Sequence, residues 1–377
     1  MKPLLFILSV SFLAVAGACD DRPGGSSAVL GYDLIPADEK IPFAPRQYVC
    51  YKTTEPLLID GLLTDEPWQD AAWTDVFVDI QGDAKPSPRH RTRAKMLWDD
   101  TYFYIAASLD EPDLWATLTQ RDTVIFYDND FEVFIDPDGD THAYYELEIN
   151  ALETVWDLML LKPYRDGGPA INGWDVQGLQ ARVHLNGTLN DPRDRDQGWS
   201  VEVALPWAVL KEAAPRQEPP QAGAQWRINF SRVQWELAVE AGRYVKKIDP
   251  QTGSHYPEDN WVWSPQGVVN MHRPEQWGYV QFSGTAPGEA VDAFVVDPNE
   301  KVKWALRRLY YRQRAYQETY GRYAADLQAL RAADVTVTGL DFEPTMQATE
   351  RLYEITATGF NGKTFHIRHD GRVWEGD

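Results

Sequence analysis

The sequence predicts a mainly β protein: an immunoglobulin- or jelly-roll-like β-sandwich followed by a small C-terminal α+β unit. Three observations lead there. Across residues 46–284, short runs alternate apolar with polar side chains and are punctuated by Gly, Pro, Asp and Asn. Beyond residue 298 the apolar period changes from two to three-and-four, the signature of a helix, and then returns to two. The 377 residues are 44% hydrophobic and 12% aromatic, enough material for a packed core and more length than one ordinary domain needs.

The N-terminus reads as a leader. Lys2 gives residues 1–18 a positive start, and Leu4 to Ala16 form an apolar run too short to span a bilayer. The small residues Ala16, Gly17 and Ala18 before Cys19 resemble a bacterial lipobox, although lipoboxes usually carry Leu where Ala16 stands. That resemblance implies a lipid on Cys19, which would be the only membrane contact. It also implies an outer-membrane lipoprotein of the cell envelope, or a periplasmic or secreted protein if Cys19 is not lipidated. Residues 19–45 then read as a polar tether. Cys50 is a lone thiol if Cys19 is acylated, and a disulfide partner for it otherwise.

The sandwich is predicted strand by strand. Ala94–Trp98 and Tyr102–Asp110 form a hairpin about Asp99, Asp100 and Thr101, with Phe103, Ile105, Ala107 and Leu109 on one face. Phe131, Val133 and Ile135 point inward, so Glu132 and Phe134 point outward. A turn at Asp136 to Asp140 leads into Tyr144–Asn150, where Tyr145, Leu147 and Ile149 face in. That leaves Tyr144, Glu146, Glu148 and Asn150 facing out. Further strands are expected at Thr154–Leu160, Trp199–Leu205, Trp226–Phe230, Trp261–Ser264 and Tyr279–Phe282. The long loops 163–178 and 249–260 are where a rigid sandwich usually carries binding residues.

Residues 285–298 form a linker, and residues 299–377 the tail domain. In the tail, Val302, Leu306, Leu309, Tyr316, Tyr320, Tyr323, Leu327 and Leu330 predict one long helix, interrupted at Gly321 at a cost of roughly 1 kcal/mol. A three-stranded meander follows at Leu352–Thr358, Thr364–His369 and Arg372–Trp374, turned by Asn361-Gly362 and Asp370-Gly371.

Charge narrows the function. With 57 acidic against 36 basic side chains the net charge is −21, which repels phosphate backbones and excludes nucleic acid as a partner. The same field suits neutral sugars and attracts Ca²⁺. Asp136, Asp138 and Asp140 form either a calcium site or a solvated turn; Gly139 and the lack of a terminal Glu exclude an EF-hand. The 7 His show no zinc spacing. The 15 Trp include rings on whose faces a pyranose could stack. Glu146 and Glu148, neighbours on one strand face, raise the alternative of a glycoside hydrolase or its accessory subunit. Met271-His272 raises that of a non-covalent haem-binding electron-transfer module.

Several motifs, in order, resemble the family 9 carbohydrate-binding modules. They are Ile59-Asp60-Gly61 with Asp65-Glu66 and Trp68, then Met96 to Asp100 before Tyr102-Phe103-Tyr104. Asp130 to Asp136, Gly198-Trp199 and Leu205-Pro206-Trp207 complete the set. The resemblance implies a non-catalytic module with structural Ca²⁺ that holds oligo- or polysaccharide between two aromatic rings during polysaccharide capture or breakdown. It places Glu132, Glu148 and Asn150 at polar binding positions and one stacking ring at Phe126. The second ring falls at Met271, for which Trp261, Trp263 or Trp235 could stand in. Tyr316, Tyr320, Gly321, Tyr323 and Leu327 give the tail a resemblance to the globular part of pilin-like proteins.

Overall fold

The turn at Asp99 shows how the sandwich is written into local chemistry. Asp99 Oδ1 accepts the N–H groups of Thr101 (2.6 Å) and Tyr102 (2.7 Å), so the chain reverses there and Trp98 pairs with Phe103. A computed structural model describes residues 28–214, 219–289 and 291–376. The leader 1–18 and Cys19 lie outside the described residues. Among the described residues no helix is long and apolar enough to cross a membrane.

In chain order the strands begin with β1 (Gln47–Lys52), β2 (Val78–Asp79), β3 (Thr92–Trp98) and β4 (Tyr102–Asp110). Next come β5 (Asp130–Asp136), β6 (Tyr144–Asn150), β7 (Val155–Leu160), β8 (Ala170–Ile171), β9 (Gln180–Asn186) and β10 (Gly198–Pro206). β11 (Gln225–Gln234) is followed by a separate hairpin of β12 (Leu237–Glu240) and β13 (Arg243–Lys246), and β14 (Asp259–Val262) and β15 (Gly278–Phe282) complete the sandwich. One layer runs β8-β7-β6-β5-β11-β15-β1 and the other β1-β3-β4-β10-β9. β1 crosses between them, pairing with β15 through Gln47 to Cys50 and with β3 through Tyr51 and Lys52.

The inward faces follow the predicted phase. Phe103, Ile105, Ala107 and Leu109 meet Phe131, Val133, Ile135, Tyr145, Leu147 and Ile149 in one core with Trp98, Trp199, Trp207 and Trp226. Each large apolar side chain withdrawn from water there contributes about 1.5–3 kcal/mol before entropy. Cys50 is buried in the same core and has no disulfide partner among the described residues. A short helix α1 (Glu66–Asp70) sets Trp68 against the outer face of the second layer, where its indole N–H donates to Glu202 (2.7 Å). Glu202 also accepts the N–H groups of Asp60 (2.9 Å) and Gly61 (2.7 Å), which is what the Ile59-Asp60-Gly61 motif does.

The tail packs helix α2 (Glu300–Tyr320) on a four-stranded sheet of β16 (Thr345–Ala348), β17 (Tyr353–Thr358), β18 (Thr364–Arg368) and β19 (Val373–Glu375). Two expectations are corrected. The helix stops at Tyr320 rather than continuing to Leu330, because Gly321 takes a left-handed φ of 72° and its N–H closes on the Gln317 carbonyl. The meander has four strands rather than the expected three, β16 preceding them. The described part of the polar tether is also not free chain. Leu30 is buried in the tail core, and Glu39 accepts from Arg312 at 2.6 and 2.7 Å.

The tail is seated on the turn after β5. Arg372 Nε donates to Asp140 at 2.6 Å, Val373 N to the Asp140 carbonyl at 3.0 Å, and Arg307 to Thr141 Oγ1 at 3.0 Å.

Candidate functional site

The outer face of the first layer carries a cavity of about 270 Å³. It is built from register. Glu132 on β5 stands opposite Glu148 on β6, and Glu148 opposite Trp156 on β7, so all three project to the side away from the core. Glu146 and Phe134 form the next cross-strand pair on that side. Phe126, from the 3₁₀ turn Ile125–Tyr127, and the loop bearing Met271 and His272 close the rim.

The floor is acidic and buried. Glu132, Glu146 and Glu148 are 4%, 6% and 1% exposed. Burial pushes the Glu132 carboxyl up to about 7. Burial, and then the Glu132 charge, holds Glu146 and Glu148 well above the usual carboxylate range. Glu148 Oε2 accepts the Phe126 N–H (3.0 Å), which ties the rim ring to the floor. Trp235 supports that ring from below, its indole N–H donating to the Phe126 carbonyl at 2.9 Å.

Four of the six expected carbohydrate contacts therefore meet in one cavity: Phe126, Glu132, Glu148 and Met271. Two expectations are corrected. Asn150 lies on the right face, but its amide is spent on Leu118 O (2.9 Å), Asp128 Oδ2 (3.0 Å) and the N–H groups of Leu152 and Thr154 (3.0 Å each). It anchors a loop and offers no group to a ligand. Trp263 is 1% exposed in the sandwich core, its ring over Gly278 where an added Cβ would meet it at 2.5 Å. It cannot reach the cavity. The ring that does reach it, Trp156, was missed. Alternation along Val155–Leu160 gives it the face of Glu148, so the signal was present in the strand phase.

His272 is built into the cavity wall. Its Nδ1 is 3.0 Å from the Tyr144 hydroxyl, its ring is enclosed by Phe134, Tyr144 and Tyr164, and the cavity is small for a macrocycle. Burial, then Arg165, holds its imidazole down at about 4, so it is a neutral wall.

Asp136, Asp138 and Asp140 come together after β5, one oxygen of each within 4.8 Å of the others. They fit a calcium ion poorly. Asp136 accepts Gly139 N (3.1 Å) and Thr141 N (3.0 Å), and Asp138 accepts Asp140 N (3.2 Å). Asp140 accepts His142 N (2.7 Å) on one oxygen and Arg372 on the other. The turn is satisfied by its own amides and by a guanidinium from the tail.

Known proteins resemble parts of this chain. A stretch is 28% identical over 156 residues to "Exoglucanase XynX" of Acetivibrio thermocellus, covering 41% of this chain and 12% of that protein. Another is 27% identical over 117 residues to "Endo-1,4-beta-xylanase A" of Thermoanaerobacterium saccharolyticum, covering 31% and 8%. The chain thus spans about a tenth of the length of these curated relatives. A solved carbohydrate-binding module of family 9 from Caldicellulosiruptor kristjanssonii, in complex with cellotriose, superposes with a TM-score of 0.41 at 14% identity. That superposition covers 66% of this chain and 99% of the module. Residues 59–230, a little under half of the chain, match the model of the carbohydrate family 9 binding domain-like family.

Proposed function

We propose that this protein binds carbohydrate without cutting it, holding a sugar unit of an oligo- or polysaccharide in the cavity of Phe126, Trp156, Glu132, Glu146 and Glu148. One observation carries the reading: two aromatic rings and buried carboxyls converge on one cavity of a sheet face that matches a carbohydrate-binding family. Aromatic rings supply a stacking surface for the C–H face of a pyranose, and the carboxyls supply partners for its hydroxyls. The names of the relatives, an exoglucanase and a xylanase, make β-linked plant polysaccharides the first ligands to try.

The family model that the sandwich matches describes a binding domain, which favours binding over hydrolysis. Incubation with xylo- and cello-oligosaccharides should release no reducing sugar. The envelope setting belongs to the same proposal and rests on the residues around Cys19. Labelling with a radioactive fatty acid, lost in Cys19→Ala, would support it, and an unlabelled wild type would remove it.

The test is calorimetric titration of the full chain with these oligosaccharides. Saturable binding is expected, weakened by about 1–3 kcal/mol, that is roughly fivefold to 150-fold, in Phe126→Ala and in Trp156→Ala. Equal affinity in wild type and both variants would refute the stacking role.

A further inference from the structure

A second group of carboxylates lies at and beneath the floor of the cavity. One oxygen each of Asp130, Glu132 and Glu148 falls within 4.8 Å of the others, and the residues are 0%, 4% and 1% exposed. Their hydrogen bonds leave gaps. Asp130 Oδ1 accepts Val233 N (3.2 Å), and Glu148 Oε2 accepts Phe126 N. Asp130 Oδ2 and Glu132 Oε2 have no partner among the described residues. A buried carboxylate oxygen without a donor is costly, and native structures seldom leave one without a reason.

No cation answers them. Among the described residues, no Lys or Arg forms an ion pair with Asp130, Glu132 or Glu148. Lys246 sits instead on the Trp235 ring, 3.3 Å from its centroid. Arg232 is engaged by Glu111 (2.9 Å) and Gln234 (2.6 and 2.9 Å). The remaining acidic group, Asp122, Asp157 and Asp175, already holds Arg121 at 2.5 Å from Asp157 and 3.5 Å from Asp175.

We propose that Asp130, Glu132 and Glu148 hold a divalent cation of the calcium type, whose remaining coordination positions face the cavity and take hydroxyls of the bound sugar. The ligand chemistry selects the ion. Three carboxylates, each able to bind through one or both oxygens, suit a hard cation that takes 6–8 oxygens, and leave room in its shell for others. The cation site stands without the sugar; the bridging role rests on reading the cavity as a carbohydrate site. It makes sugar binding conditional on the ion.

The experiment uses the full chain stripped with chelator and titrated with CaCl₂ alone, then with oligosaccharide in calcium and in chelator. Wild type is expected to bind calcium. Asp130→Asn and Glu132→Gln should each weaken it by at least about tenfold, with folding checked by near-ultraviolet circular dichroism. Asp138→Asn, in the turn that already has its donors, should not change it. Calcium isotherms unchanged in both floor variants would overturn the site. Calcium binding lost in the variants, with no sugar bound on the panel, would support the cation site and refute the carbohydrate reading. Sugar affinity equal in calcium and in chelator would overturn the bridging role.

Discussion

Two groups of three carboxylates, one spanning β5 and β6 and one at the end of β5, have opposite chemistry. Asp136, Asp138 and Asp140 are met by the N–H groups of Gly139, Asp140, Thr141 and His142 and by Arg372. Asp130, Glu132 and Glu148 receive two backbone N–H groups and keep orphan oxygens. The cause is backbone geometry. In a turn, N–H groups are free to fold back on neighbouring side chains. In a central strand they are committed to the ladder, so a side chain there must find donors elsewhere. The density of acidic residues therefore does not mark a cation site; the lack of hydrogen-bond donors does.

The largest effect expected from this contrast is a difference of sign in metal-free protein. Asp136→Asn sets an amide N–H against the N–H of Gly139 or Thr141 and should destabilise by about 2 kcal/mol. Asp130→Asn can keep the Val233 hydrogen bond through its carbonyl and offers its amide N–H to Glu132, so it should raise the melting temperature in chelator. Thermal unfolding of both variants decides the matter: shifts of the same sign would erase the distinction. A smaller effect is expected at Arg372, whose side chain is 42% exposed and whose pairing with Asp140 is correspondingly screened. Arg372→Met should cost about 1 kcal/mol or less and make the turn newly responsive to calcium. A melting temperature still indifferent to calcium would mean that the turn amides alone suffice.

The strands and their phase were legible because one buried face forces strict alternation, and that alone carried Glu132, Glu148 and, had it been followed one strand further, Trp156. Asn150 was placed on the correct face and given the wrong task. Nothing local announces that Leu118 and Asp128, more than twenty positions upstream, will consume its amide. Trp263 failed for a related reason: proximity in sequence to the rim loop says little about side when the strand β14 ends at Val262. The helix end was misplaced because apolar spacing continues past Gly321 into residues that pack on the same core without being helical. Arg372 on Asp140 joins residues 232 positions apart, a contact that periodicity cannot supply.

The smallest and most discriminating effect lies in the pH dependence of metal-free protein. Burial raises Glu132 from its ordinary value near 4.5 to about 7, whereas the crowded turn raises Asp138 to about 6 through desolvation first and the Asp140 charge second. A carboxyl whose folded pKa is raised holds its proton in the native state after the unfolded chain has released it. The native state then binds more protons, and stability falls as pH rises between the unfolded and folded values. The decline contributed by Asp138 should thus be largely complete by pH 6, while that contributed by Glu132 continues to about 7. Between pH 6 and 7, Glu132→Gln should flatten the loss of stability in urea unfolding, and Asp138→Asn should leave it standing. The flattening should be greater than one group alone would give, because removing the Glu132 charge also relieves Glu146 and Glu148. Added calcium should abolish the same slope in wild type, since an ion at the floor replaces the protons that burial otherwise demands.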